Sequence, residues 1–305
     1  MKPRSLDSRN DISRVVTRPD FDGVVCAVLL KYALGIEEPV FWVQPGRIQH
    51  GRVQIGPRDV VANLPYHPEC GMWFDHHYSN RIDLPFAGEF DLAPSAARVI
   101  YRYFRPKFGD RFRGLVRQAD KIDAADLDRD EILHPEKYPF ILLSMTISGN
   151  DMQQRPYWDR LVNLLGSLPI EKVMQDPEVA RYSELTIEAN REYAVALKRH
   201  TTVQGPLSVT DFRGVSPAPD GNRFLVYCLF PEAVANLKVY RHEGRTVVKI
   251  GHSIVNRNCR VNVGRLMASY GGGGHRGAGA CRFSTDLEDT YLPQIIRVMT
   301  ANRPE

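Results

Sequence analysis

Gly71-Met72-Trp73-Phe74-Asp75-His76-His77-Tyr78 is the stretch on which the fold turns. Met72, Trp73 and Phe74 read as a short buried strand, and the apolar run stops abruptly at one carboxylate and two imidazoles. In an open α/β sheet the chemistry-bearing residues sit where a parallel strand meets its loop. A carboxylate beside a histidine also supplies the oxygen and nitrogen donors that a borderline divalent ion accepts. Asp75, His76 and His77 are therefore candidate catalytic residues, with Asp75 and His76 candidate metal ligands. Two ordinary loop histidines are the competing description.

An acidic loop earlier in the chain matches this one. Ile12 to Thr17 can form a first strand, Arg18-Pro19-Asp20-Phe21-Asp22-Gly23 follows as a loop, and Val24 to Leu34 is apolar nearly all round and closed by Gly35. That pattern fits a helix packed tightly on a sheet. Asp20 and Asp22 would then lie at a strand-to-helix junction, where Gly23 lets the backbone approach whatever the carboxylates hold. Two carboxylates so close repel unless a cation or proton lies between them, although Asp22 could instead be a helix cap.

Pro39 to Gln44 reads as a second strand, ended by Pro45-Gly46 and followed by a polar connection from Arg47 to Gly56. Asp59 to Asn63 reads as a third strand, broken by Leu64-Pro65, which brings Asn63 to the same class of strand end as Asp20 and Asp75. Several polar strand ends separated by helices argue for a parallel sheet with a cleft. A helix opens near Asp91 or Ser95 and runs to Phe104. Arg111 to Lys121 is helical in pattern and ends in the acidic cluster Asp120-Lys121-Ile122-Asp123. Asp120 and Asp123 share a helix face, and a solvated acidic helix end would look the same. Further helices are expected over Tyr138 to Ile147 and Pro156 to Leu165.

A long helix is expected from Asp176-Pro177 to about Arg199, with proline at its first position. The expected organisation is residues 1–170, a helical linker over 171–204, and a second domain over 205–305. Leu207 to Phe212 and Phe224 to Phe230 read as strands, and Glu243-Gly244 marks a hairpin between Leu237–His242 and Thr246–Ile250. The fold class expected is α/β, with a parallel sheet first and a smaller mixed sheet second.

The chain has 305 residues, 43% hydrophobic and 25% charged, which suits a globular protein with ample core. No apolar run approaches membrane-spanning length, and Met1 to Asn10 is polar, so the expected location is the cytoplasm with no membrane partner. Five scattered cysteines form no CxxC pair, which argues against a disulfide scaffold and a cysteine-rich zinc site. Net charge is +4, unevenly spread: residues 201–305 hold 13 Lys/Arg against 8 Asp/Glu. From Arg257 to Arg282 there are five arginines and no carboxylate, which suits a phosphate-bearing partner or simply a solvated basic surface. Gly271-Gly272-Gly273-Gly274-His275-Arg276-Gly277 lies inside that run. So many glycines are not expected to make a stable helix or an ordinary strand, but they can expose backbone N–H groups to an anion. A flexible hairpin tip is the alternative. The run lacks the GK[ST] ending of a Walker loop.

Taken together, Asp20-Phe21-Asp22-Gly23, Asp75-His76-His77, the Asp120–Asp123 region and Gly272-Gly273-Gly274-His275 with Ala278-Gly279 resemble the DHH phosphoesterases that carry a C-terminal DHH-associated domain. These motifs span nearly the whole chain in the family's order. The resemblance implies metal-dependent cleavage of phosphomonoesters or phosphodiesters, usually with two manganese ions. Relatives of the nanoRNase, phosphoadenosine phosphate phosphatase and exopolyphosphatase kinds act on small nucleotides, short oligonucleotides or polyphosphate. It places the metals in the first domain and the substrate phosphates on the second. Carried over by position, Asp20 serves a first metal, and Asp22 and His76 a second. Asp75 supports the cluster and His77 lies beside the metal or phosphate. One of Asp120 and Asp123, with Asp120 slightly preferred, completes the set. His275 contacts phosphate, aided by Gly272, Gly273, Gly274 and by Arg276 or Arg265. A homodimer is the assembly considered.

Two positions depart from the family pattern. Arg18 stands where a first motif of the form Thr-His-x-Asp-x-Asp-Gly has a metal-binding histidine, and a guanidinium has no lone pair to offer a metal. Asn63 stands where relatives place a bridging aspartate before Leu-Pro, and an amide brings no negative charge. The expected cofactor is therefore Mn2+ or Mg2+, one ion rather than two, with Arg18 among the substrate-binding candidates and Asn63 among the metal ligands. A nucleotide-binding protein without turnover is the alternative function.

Overall fold

The computed structural model describes residues 12–149 and 151–304. The polar segment Met1 to Asn10 lies outside the described residues. The chain divides into two compact units, one formed by residues up to 126 with 138–183, the other by 127–137 with 184–305.

The first unit holds a five-stranded, all-parallel sheet in the order β2-β1-β3-β4-β5. It begins with β1 (Arg14–Thr17), α1 (Phe21–Leu34), β2 (Phe41–Trp42), α2 (Pro45–Gln49), β3 (Asp59–Ala62), β4 (Met72–Asp75) and β5 (Gly88–Phe90). Then come α3 (Ala96–Tyr103), α4 (Arg105–Phe108) and α5 (Arg113–Asp123). Every residue of β3 and β4 is buried, as a parallel sheet covered on both faces requires. Alternation along the strands divides the core. Val15, Val60, Met72 and Phe74 pack with α1, whereas Val16, Val61 and Trp73 pack with Val43 and Leu64 on the other face. The indole N–H of Trp73 donates to the Leu64 carbonyl at 2.9 Å, so the largest residue of β4 is buried without a stranded donor.

The register brings three strand ends together. Thr17 lies beside Ala62, and Ala62 beside Phe74, so Arg18, Asn63 and Asp75 leave the sheet at adjacent carboxyl ends. At the opposite end Arg14 Nε and Nη2 reach the two Asp59 oxygens at 2.7 and 2.8 Å, which holds β1 against β3.

The second sheet contains six strands in the order β10-β11-β9-β8-β7-β6 and is mixed, β7 and β8 alone being parallel. Helix α6 (Arg129–Leu133) belongs to this unit, while α7 (Pro139–Met145), α8 (Arg155–Ser167) and α9 (Ile170–Val173) belong to the first. Helix α10 (Pro177–His200) is the long helix expected, and the division between units falls after Ser183, inside it. Beyond it lie β6 (Thr201–Gln204), β7 (Leu207–Asp211), α11 (Leu225–Leu229), β8 (Ala235–His242) and β9 (Arg245–His252). Helix α12 (Val263–Ala268), β10 (Gly273–His275), β11 (Ala278–Ser284) and α13 (Glu288–Ala301) end the chain. The α/β class and its two sheets are those expected from the sequence.

Three local expectations need correction. Phe224 to Phe230 contains a helix, not a strand: a continuous short apolar run carries no period to separate the two, and Leu225, Val226, Tyr227 and Cys228 are all buried in one cluster. The second strand is only Phe41–Trp42, because Pro45 opens a helix where a polar connection was expected. The glycine cluster does enter a sheet, since Gly273, Gly274 and His275 pair with Ala280, Gly279 and Ala278. Glycine is required there by close packing on the neighbouring strand: a Cβ on Gly272 would lie 2.1 Å from the Ala280 carbonyl oxygen, and one on Gly274 2.2 Å from that of Ala278.

Candidate functional site

Asp20 is the N-cap of α1, and its Oδ1 accepts from the Gly23 N–H at 2.8 Å. The cap is thus Asp20, which frees Asp22 to turn inward from the first turn of the helix. Gly23 is there for want of room, since a Cβ would lie 1.9 Å from the Arg18 carbonyl oxygen. Two further groups hold Asp20: Asn63 Nδ2 donates to Oδ1 at 2.9 Å, and Arg18 Nε stands 3.0 Å from Oδ2. Asn63 itself follows β3 in the left-handed region at φ 55°, a conformation asparagine tolerates better than most residues.

Asp22 is fully buried and is held by α3, which packs with α1 in one core. The N–H groups of Ala96 and Ala97, the first turn of α3, donate to Oδ2 and Oδ1, each at 2.9 Å. A carboxylate at a helix N-terminus is favourably placed. Burial nevertheless pushes the Asp22 carboxyl well above its usual range, and the neighbouring charges of Asp123 and Asp20 push it further. Burial also raises Asp20, with Arg18 opposing. The buried thiol of Cys26 approaches Asp22 Oδ1 at 3.8 Å from one turn along α1.

The two histidines after β4 have distinct duties. His76 directs Nδ1 to the Ala93 carbonyl at 3.0 Å; that nitrogen therefore carries the hydrogen and Nε2 carries a lone pair. Nε2 is buried and has no hydrogen-bond partner, yet it lies 3.2 Å from Asp123 Oδ2 and 4.0 Å from Asp22 Oδ2. His77 donates from Nδ1 to Asp75 Oδ1 at 2.8 Å, and this bond raises the His77 pKa while burial opposes it. Asp75 is occupied on both oxygens, since the His76 N–H donates to Oδ1 and Asn80 Nδ2 to Oδ2, at 2.8 and 2.6 Å. It sets the His77 ring and the turn.

Of the two aspartates at the end of α5, the structure brings Asp123 to the cluster and turns Asp120 away. Asp120 accepts from Ser95 Oγ at 2.7 Å and from the Arg98 guanidinium, whose Nε lies at 2.8 Å. Asp22, His76 and Asp123 offer atoms that all lie within 4.8 Å of one another, as do Asp75, His76 and His77. The first trio fits a divalent cation: one lone pair and two carboxylates face each other, one atom is buried without a partner, and the donor set is one nitrogen with two oxygens. The parts not anticipated from sequence are Asn80, the Ala93 carbonyl and the two α3 N–H groups. The Ser95 cap that starts α3 was the one visible signal for the last.

In the second unit Gly273, Gly274, His275 and Arg276 are exposed along the β10–β11 hairpin, and Gly272 enters it. His275 Nδ1 accepts from the Gly277 N–H at 3.1 Å. Arg265 projects from α12 close by in sequence. His252 lies at the end of β9. Its Nε2 donates to the Val261 carbonyl at 3.0 Å, and burial lowers its pKa, with Arg276 and His275 adding to the effect. No helix among the described residues is long and apolar enough to cross a membrane.

No protein-family model and no curated protein matches the chain. Solved structures do. A pGpG-specific phosphodiesterase, PggH from Vibrio cholerae, is 31% identical with a TM-score of 0.81, over 95% of this chain and 100% of that one. RecJ from Thermus thermophilus in complex with Mn2+ shares the fold at 14% identity and TM-score 0.62, over 98% of this chain and 54% of that one. An exopolyphosphatase-related protein from Bacteroides fragilis does so at 10% identity and TM-score 0.55, over 95% and 93%. With a relative 31% identical over 95% of this chain and the whole of the other, the chain belongs to the DHH superfamily with a DHH-associated domain.

Proposed function

We propose that the chain is a metal-dependent phosphoesterase that hydrolyses phosphodiester or phosphomonoester bonds of small nucleotides or short oligonucleotides. The observation that carries this reading is the buried, unpartnered Nε2 of His76 facing Asp22 and Asp123. The likeness to a pGpG-specific phosphodiesterase makes the dinucleotide pGpG the first substrate to test.

Asp22, His76 and Asp123 would hold the ion, Mn2+ or Mg2+, one per chain rather than two. A bound divalent ion lowers the pKa of water and polarises a phosphoryl oxygen. The residues of the chain do the rest. The N–H groups of Ala96 and Ala97 fix the Asp22 oxygens, and the Ala93 carbonyl fixes the His76 tautomer so that Nε2 is free to bind. Asp75 orients His77, whose raised pKa suits holding a proton next to a phosphate oxygen. On the second unit, the exposed His275, Arg276, Arg265 and the flanking glycines are the proposed phosphate-binding groups.

Purified protein incubated with Mn2+ and pGpG, with other short oligonucleotides and phosphomonoesters alongside, tests the reading. Turnover that chelation and Asp22→Asn both abolish is expected, and saturable binding without turnover would overturn it. That second outcome describes a nucleotide-binding protein on the same scaffold. The ion pair of Arg18 with Asp20 is the observation that favours it.

A further inference from the structure

Positive charge is missing from only half of the acidic cluster. The Asp20 carboxylate already has Arg18 Nε at 3.0 Å from Oδ2, with Asn63 Nδ2 and the Gly23 N–H on Oδ1 at 2.9 and 2.8 Å. One of these three partners carries a full positive charge. Asp22, His76 and Asp123 are in the opposite condition, with lone pairs and carboxylates turned on one another and the His76 Nε2 unpartnered. Asn63 reinforces the difference, because it presents an amide N–H to Asp20 and adds no negative charge to draw in a further cation. Its other end, Oδ1, is buried with no hydrogen-bond partner.

We propose that Arg18 is the resident cation of the Asp20 half of this site, so that one divalent ion binds, on Asp22, His76 and Asp123, and the outward guanidinium N–H groups receive a substrate phosphate where a second ion would otherwise sit. The inference rests on the metal-dependent reading above. The side chain suits both duties: its Nε faces Asp20, the side chain stays 40% exposed, and a guanidinium carries further N–H donors for an anion. A divalent ion brought against Asp20 would meet a like charge a few ångströms away.

The test is metal content and spectrum of the full chain after equilibration with excess MnCl2 and desalting. One Mn2+ per chain with the hyperfine pattern of an isolated ion is expected. Asp22→Asn should lose that ion, whereas Asp20→Asn should keep it. Arg18→Ala should keep it too, while weakening the affinity of the Mn2+-loaded protein for inorganic phosphate about tenfold. Two tightly held ions, an exchange-coupled spectrum, loss of the ion in Asp20→Asn, or unchanged phosphate affinity in Arg18→Ala would each overturn the inference while leaving the metal-dependent reading standing. No bound ion at all would overturn both. Should Asp22→Asn fail to fold, the spectrum of the unaltered protein still separates one ion from two.

Discussion

Asp123 Oδ2 lies 3.2 Å from Nε2 of His76, while Asp120, three residues earlier on the same helix, is paired with Arg98. Two aspartates of one helix face thus have different work. Asp123→Asn should weaken Mn2+ binding by more than about tenfold, roughly 1.4 kcal/mol or more, because it removes a charged donor from the trio. Asp120→Asn should lower the melting temperature through the lost Arg98 pair and leave Mn2+ affinity within about threefold. Calorimetric titration of both variants with MnCl2 checks this, and the reverse ranking would refute it.

Gly23→Ala should damage fold and site together. Its Cβ would stand 1.9 Å from the Arg18 carbonyl oxygen, so the loop that carries Arg18 and Asp20 must move. A loss of about 1–3 kcal/mol is expected, the usual scale for forcing extra atoms into a packed place. Chemical denaturation measures the loss, and a variant of native stability would show that the loop yields freely.

His275→Ala with Arg276→Ala should leave stability nearly unchanged, since both side chains are exposed on the hairpin. Affinity for pGpG should fall at least about tenfold. Binding measured in the absence of turnover, with the metal chelated or with Asp22→Asn, isolates the effect. Equal affinities before and after substitution would remove the hairpin from the ligand site.

Acid stability should depend on Glu288. Arg241 above all, with Thr246 and Arg213, holds its carboxyl down to about 2 against an ordinary value of 4.5, although burial works the other way. A carboxyl depressed in the folded state stabilises the fold above the unfolded value and loses that contribution as pH falls toward the folded one. The contribution, at most about 3 kcal/mol, should be intact above pH 4.5 and should fade between there and about 2. Melting curves of Glu288→Gln and the unaltered chain should differ at neutral pH and converge at the acid end. A constant gap would place the stabilisation elsewhere.

The strand ends of the first unit were legible in the sequence because each joins an apolar run to a charged residue, as at Phe74-Asp75. The choice between Asp120 and Asp123 was not. Helical spacing gives both aspartates one face, and Arg98 and Ser95, more than twenty residues upstream, decide which of them turns away. Phe224 to Phe230 misled for a related reason: full burial erases the alternation by which strand and helix are told apart. The glycine run misled because its constraint lies on the paired strand, where Ala278 and Ala280 leave no room for a Cβ on Gly274 and Gly272, and composition alone carries no record of that pairing.

The short segment 127–137 has a consequence for dissecting the molecule. It belongs with the second unit although the chain returns to the first until residue 183. Ile132, its fully buried residue, packs in one cluster with Tyr193, Leu197, Phe212 and Leu225. No single cut in the backbone therefore separates the units cleanly. A fragment ending near residue 183 would keep Ile132, with only Leu127 and Leu133 of its cluster, and the complementary fragment would lack the side chain that fills the pocket. Each half made by such a truncation inherits an apolar scar, so poor solubility of either piece would report on where the chain was cut and not on whether the unit can fold.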